Sequence, residues 1–355
     1  MDRLRFAFSE LRADALLVTH LPNILYLTGF SGSSAVLVVT TDRRILFTDS
    51  RYTFQARQEV SGARVHVAKH GLLRAAAEAV SQVRRRGVLR LAYPPSQMTV
   101  AQKRAMTGRL PGRIRWVPAD NLVERLRAVK DAEELSRMRD SARLISGVFE
   151  QSLKFIRPGV LETDIAAEVE YRMRKAGAAG PSFETIVASG PRSAWAHARP
   201  SSKPLTKNEL VVLDQGAILR AYCSDMTRTV YLGRCPKKIS RMYAAVLEAL
   251  EAAKSVVRPG VKASAVDAAA RGVLARRGLA RYFTHSTGHG LGLEVHEMPR
   301  VGRGDSTRLE AGMVVTIEPG VYIEGLGGIR IEDDVVVTPQ GGQDLTTASR
   351  ELFEL

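Results

Sequence analysis

The chain has 355 residues, 45% of them hydrophobic and 25% charged. That is the balance of a globular protein long enough for two domains of roughly 100–200 residues; it excludes a disordered tail and a fibrous repeat, and no run approaches the ~20 apolar residues that span a bilayer. Met1-Asp2-Arg3-Leu4-Arg5-Phe6 has no apolar stretch behind it to serve as a secretory signal, and two cysteines, Cys223 and Cys235, cannot build a disulfide framework, so a cytoplasmic location is expected. The outlier is charge: 52 Lys+Arg against 37 Asp+Glu gives +15. Such a balance raises the question of a nucleic-acid partner. The basic residues, however, cluster only modestly, at Arg84-Arg85-Arg86 and between Arg104 and Arg115. No zinc-finger spacing or aromatic-studded RNA-binding signature accompanies them. A solvated basic surface is expected, with no nucleic acid and no membrane as partner.

In chain order, Leu4 to Leu11 has helical spacing and Ala15 to Thr19 is a short β-prone run. Ala35 to Thr40 and Ile45-Leu46-Phe47 read as paired strands around the polar turn Thr41 to Arg44. Arg51 to Val60 and Leu72 to Arg84 read as helices, with strands at Val65-His66-Val67 and Val88 to Leu91. The result is an α/β domain without a catalytic cluster. The pattern breaks at Pro118 to Asn121, and one long charged helix is expected from near Val123 past Glu134. This places the domains at 1–122 and 123–355.

The second domain repeats itself. Phe155 to Val160, with Arg157-Pro158-Gly159, recurs 101 residues later as Val256 to Val261, with Arg258-Pro259-Gly260. Each copy continues as an amphipathic helix closed by a glycine, Gly177 or Gly278. Each then reaches an apolar strand ending in an acid, Leu210 to Gly216 with Asp214 and Met313 to Gly320 with Glu318. A second acidic strand follows, around Asp225 in one copy and Glu332 in the other. An internal duplication with pseudo-twofold symmetry is expected.

The duplication gathers four carboxylates in or beside apolar strands. Burying ionised carboxylates costs many kcal/mol unless positive charge neutralises them. One such group would pair with an arginine, as Glu332 could with Arg330; four, related in this way, call for metal. Histidines complete the set. His285, His289 and His296 fall in a glycine-rich segment and His197 lies upstream. His289, flanked by Gly288 and Gly290, is the best ligand candidate because the backbone there can approach a site closely. A hard, oxygen-rich set with one imidazole favours manganese and can hold cobalt, zinc or iron. Four carboxylates suit two ions about 3.5–4 Å apart, an arrangement fit for hydrolysis.

These stretches resemble the pita-bread-fold metallopeptidases, in their Xaa-Pro aminopeptidase and Xaa-Pro dipeptidase (prolidase) branch. The matching segments are Leu213 to Ala217, Cys223 to Thr229, Ser286 to Gly292, Thr316 to Gly320 and Gly328 to Asp333. Asn23 to Gly29 and Phe47 to Tyr52 resemble the creatinase-type N-terminal domain. The resemblance implies an α/β creatinase-like domain followed by an α+β pita-bread catalytic domain. It implies two divalent ions held by Asp214, Asp225, His289, Glu318 and Glu332, with Asp225 and Glu332 bridging, and a bridging hydroxide that attacks the carbonyl before proline. It further implies that Glu318 shuttles the proton, that His285 and His296 stabilise the oxyanion, that His197 lies on the substrate side, and that Arg330 orients a bridging carboxylate. Proline-containing peptides or dipeptides would be the substrates and a homodimer the assembly, with an aminopeptidase slightly preferred to a dipeptidase. Methionine aminopeptidase is disfavoured by the N-terminal domain. A non-catalytic binding protein and metal-free creatinase chemistry are disfavoured by the intact ligand set. Two departures bear on pocket shape: Gln215 after the first metal aspartate, where the family often has a bulky apolar residue, and Trp195-Ala196 before His197. The positive balance is expected to lie outside the catalytic core, near it only at Arg330 and Arg199.

Overall fold

A computed structural model describes residues 11–83, 87–110, 112 and 114–355. Two compact units, residues 1–127 and 128–355, divide the chain. The helix expected over Leu4 to Leu11 lies outside the described residues but for Leu11, as do Arg84-Arg85-Arg86.

The first unit is a six-stranded mixed sheet. Its strands are β1 (Ala15–Val18), β2 (Ala35–Thr40), β3 (Arg44–Thr48), β4 (Arg64–Val67), β5 (Leu89–Tyr93) and β6 (Ile114–Pro118), in the order β4-β3-β2-β1-β5-β6. β2 pairs antiparallel with β1 and β3, while β3–β4, β1–β5 and β5–β6 are parallel. Helices α1 (Leu21–Thr28), α2 (Thr53–Glu59), α3 (Leu72–Ser81) and α4 (Val100–Thr107) complete it. The strand pair read from Ala35 to Phe47 is present. α4 and β6 were not foreseen, although Thr99 and Gln102 form a capping box at the start of α4.

The helix expected to run unbroken from Val123 past Glu134 is two, α5 (Leu122–Ala128) and α6 (Ala132–Ser152). The break has a local cause. The Asp131 side chain accepts from the Glu133 and Glu134 amides, and Glu134 accepts in return from the Asp131 amide, which starts a helix at Ala132. Val129 and Lys130 are drawn away to bridge Met313 and Gly312.

The second unit bears out the duplication. The first copy runs through α6, α7 (Glu162–Lys175), β7 (Gly180–Pro181), β8 (Ile186–Ser189), β9 (Glu209–Gln215), β10 (Ala217–Leu219), β11 (Tyr222–Cys223) and β12 (Met226–Leu232). The second runs through α8 (Lys237–Ser255), α9 (Ala263–Arg276), β13 (Gly288–Gly290), β14 (Glu297–Val301), β15 (Val314–Ile317), β16 (Gly320–Ile323), β17 (Gly327–Arg330), β18 (Asp333–Thr338) and β19 (Gly341–Asp344). The paired turns match bond for bond: Gly159 donates to Leu205 O and Gly260 to Leu309 O, each at 2.8 Å. Both glycines have positive φ, 90° and 84°, which a side chain would disfavour. α7 carries Glu162 and Asp164 in its first turn and three basic residues in its last, in accord with the helix dipole. Each half packs its own apolar core, one on β9 and β12, the other on β15 and β18. The halves are stitched by Glu332 N donating to Thr227 O, and by Thr229 with Arg330.

Candidate metal centre

A cavity of about 660 Å³ in the second unit is lined by all nine residues singled out from the sequence: Asp214, Asp225, His289, Glu318, Glu332, His197, His285, His296 and Arg330. Asp214 is the next-to-last residue of β9, whereas Asp225 and Glu332 stand immediately before β12 and β18 and Glu318 immediately after β15. The strand ends thus deliver the acids to one place.

The glycines around His289 make its approach possible. A Cβ on Gly288 would fall 1.8 Å from Thr316 O, and one on Gly290 2.1 Å from Met298 O. β13 therefore lies against β14 and β15 only with glycine at both positions. His289 Nε2 stands 3.6 Å from Asp225 Oδ2 and 3.6 Å from Glu318 Oε1. Its Nδ1 is within 3.0 Å of Gly290 O, which directs Nε2 to the acids. Ligand atoms of Asp225, His289 and Glu332 lie within 4.8 Å of one another.

The remaining acids are held individually. Glu332 accepts from Thr227 Oγ1 at 2.6 Å, and Thr316 Oγ1 reaches Glu318 at 3.4 Å. Arg330 donates to Asp214 Oδ2 at 2.6 Å, so its carboxylate partner is Asp214 and not one of the two acids that the resemblance makes bridging. The Asp214 Oδ1 atom is buried with no hydrogen-bond partner. An orphaned carboxylate oxygen facing a cluster of acids and one neutral imidazole is what a divalent cation would satisfy, so the donor set fits the expected metal.

The electrostatics carry the same message. Burial, followed by the charge of Glu332, pushes the Asp225 carboxyl well up, and burial followed by Glu318 does so for Glu332. Burial raises Glu318 to about 7 against the pull of Arg330. His289 is driven down to about 4 by burial and by His296, and His285 to about 4 by burial and by Arg330. Acids held up and imidazoles held neutral mark a site short of positive charge.

Several participants have no role in the sequence reading. Tyr322 Oη lies 2.6 Å from Arg330 Nη1 and 2.9 Å from His285 Nε2, and burial lifts its hydroxyl to about 12. Arg228 is fully buried; it donates to Asp333 and to the Glu332 carbonyl, directly behind the cluster. The expectation that positive charge near the core is confined to Arg330 and Arg199 is thus corrected, because a buried Asp333 requires a buried cation. Arg300 also lines the cavity, with its Nε on Ser286 Oγ at 2.7 Å. Thr227, Arg228 and Asp333 stand inside the recognised motifs; the apolar strand around Arg228 was the signal that it is internal.

The comparisons agree with this geometry. Residues 136–339 match the metallopeptidase family M24 and residues 1–129 the creatinase/prolidase N-terminal domain. The solved Xaa-Pro dipeptidase from Bacillus anthracis is 37% identical, with a TM-score of 0.95 over 100% of this chain and 98% of that one. The Xaa-Pro dipeptidase of Pyrococcus horikoshii is 34% identical over 96% of this chain and 94% of its own length. The X-Pro aminopeptidase from Thermotoga maritima is 35% identical, with a TM-score of 0.90 over 99% of this chain and 100% of that one. These likenesses do not support the preference for an aminopeptidase over a dipeptidase. The chain is a hydrolase of metallopeptidase family M24, with a creatinase/prolidase N-terminal domain and a pita-bread catalytic domain.

Proposed function

We propose that this chain hydrolyses the bond between an N-terminal residue and a following proline, with Xaa-Pro dipeptides as its preferred substrates. The observation that carries this reading is the composition of one cavity, whose lining includes five candidate metal ligands, three further histidines and, besides Arg330, two arginines, Arg199 and Arg300. Arg330 is committed to Asp214 and Tyr322. Arg199, although it faces Glu184 at 3.0 Å, and Arg300 are therefore the cations available to a dipeptide's terminal carboxylate. The names of the relatives from Bacillus anthracis and Pyrococcus horikoshii support the dipeptidase side.

Asp214, Asp225, His289, Glu318 and Glu332 would hold two divalent cations, which supply a Lewis acid and water made nucleophilic near neutral pH. Glu318, which lines the cavity beside the other acids, is placed to take a proton from water and return it to the departing proline nitrogen. His296 donates to the oxygen on which charge develops; the donor role expected of His285 is not met in this geometry, because its Nδ1 is on Ser286 O and its Nε2 on Tyr322 Oη, so His285 serves instead to hold Tyr322 beside Arg330. His197 faces the substrate from the loop before β9. Arg330 fixes Asp214. Manganese follows from the hard donor set, a cytoplasmic location from the two free thiols, and a homodimer from the family resemblance.

The test is turnover of Ala-Pro against Ala-Pro-Ala with Mn²⁺, products read by mass spectrometry. Ala-Pro is expected to be favoured about tenfold or more in kcat/KM, because a carboxylate-binding wall discriminates against a chain that continues. Equal or better cleavage of the tripeptide would make the enzyme an aminopeptidase.

A further inference from the structure

Lys130 is the third residue of the second unit, far in sequence from every motif. Its side chain is 1% exposed, and its Nζ lies 3.3 Å from the carboxylate of Glu297, itself 5% exposed, and 3.3 Å from Ala128 O. The backbone around it is tightly seated. Lys130 N donates to Gly312 O at 2.9 Å, and a Cβ on Gly312 would fall 2.7 Å from Lys130 O.

Glu297 is the first residue of β14 and follows His296 directly. Its Oε1 accepts from Glu294 N at 3.1 Å, and its carboxylate lies over Gly292, where a Cβ would stand 2.6 Å from Oε2. It pairs with Gly290 across an irregularity in the β13–β14 register. One residue earlier, the His296 ring meets His289 edge to face at 4.2 Å. The carboxylate of Glu297 is therefore gripped from the backbone on one side and from Lys130 on the other, at the point where the chain turns His296 into the cavity.

Stability gives no reason for this arrangement, since an apolar pair of similar volume is often as stable as a buried ion pair or more so. Geometry does, because the Lys130–Glu297 pair fixes the direction of a side chain that starts a strand beside a bulge. We propose that Lys130 is a positioning residue for His296, acting through Glu297. The inference rests on the role assigned to His296 above.

The test compares wild type, Lys130→Met, the double variant Lys130→Met with Glu297→Gln, and His296→Ala, all loaded with Mn²⁺. The readouts are kcat and KM on Ala-Pro, melting temperature, metal content, and the side-chain ¹⁵N resonances of the histidines in the Zn²⁺-loaded protein. Lys130→Met is expected to lose stability, because it strands a buried carboxylate. The double variant is expected to regain the melting temperature and the metal, yet keep kcat down about 10- to 100-fold with a much smaller change in KM, and to show a displaced His296 resonance. Recovery of kcat together with stability would mean a merely structural pair and overturn the proposal, as would an unmoved His296 resonance. Wild-type turnover in His296→Ala would instead remove the function assigned to that histidine.

Discussion

The two halves of the catalytic unit share a skeleton and differ in chemistry. Both pass from a long helix through an Arg-Pro-Gly turn into a second helix and deliver acids at or beside strand ends. The first half contributes Asp214 and Asp225, proposed only to hold metal, and His197, proposed to face the substrate. The second contributes His289, Glu318 and Glu332, together with His285, His296 and Arg330, and so carries every group proposed to move a proton or meet the oxyanion. Each half also pins its histidine loop with a buried acid, but at different positions. In the first, Glu162 accepts from Ser189 and Ser201, at the two ends of the loop carrying His197. In the second, Asp267 accepts from Thr287 and Arg271, beside His285 and His289. Asp267 lies one helical turn beyond the counterpart of Glu162. Duplication preserved the scaffold, and the division of labour arose in the loops.

That asymmetry can be broken most sharply at Glu318. Replacing Glu318 with Gln should lower kcat about 10²- to 10⁴-fold when the variant is assayed at saturating metal; near wild-type turnover in a metal-loaded variant would show that the second half does not own the proton chemistry. The loop anchors should separate the halves next. Asp267→Asn is expected to reduce kcat about tenfold and Glu162→Gln to act chiefly on KM, each with about 1–3 kcal/mol of lost stability. Steady-state kinetics and thermal melts read both, and identical effects would erase the distinction.

A third prediction concerns pH. In the metal-free chain Glu318 titrates at about 7, above its ordinary 4.5, and Asp225 and Glu332 are likewise raised. As pH falls through this range the folded apoprotein binds protons that the unfolded chain does not, which stabilises it, and those protons must be displaced by metal. The gain in melting temperature from Mn²⁺ should therefore shrink from pH 8 to pH 5.5, and a constant or growing gain would contradict the assignment of these acids. The smallest effect is expected from the +15 surface. Added salt should lower kcat/KM for dipeptides modestly, through screening of attraction to the substrate carboxylate, whereas a flat profile would leave the surface charge without a part in catalysis.

The catalytic half of the chain was largely legible because its chemistry is dense: acids at the ends of apolar strands and a histidine between glycines are improbable without a shared site. The duplication was legible because the glycines of its turns cannot be exchanged without strain. What escaped depended on three-dimensional context. A buried arginine such as Arg228 has the same letter as a surface one, and Tyr322 reads as an ordinary strand tyrosine until Arg330 and His285 are seen around it. The break before α6 was written in Asp131 and Glu134, but a run of charges concealed the cap. In the first unit, α4 and β6 carry little apolar periodicity, since five of the eight residues of α4 are exposed, and so gave no pattern to follow. No helix among the described residues is long and apolar enough to cross a membrane.

Hydrolysis before proline is predicted to depend on divalent metal held by these five residues. Its most direct measurement is Ala-Pro turnover by chelated protein before and after Mn²⁺ is restored, with bound metal counted in parallel. Loss of activity on chelation and its return as about two ions bind per chain is the predicted result. Full hydrolysis by a metal-free preparation would contradict it.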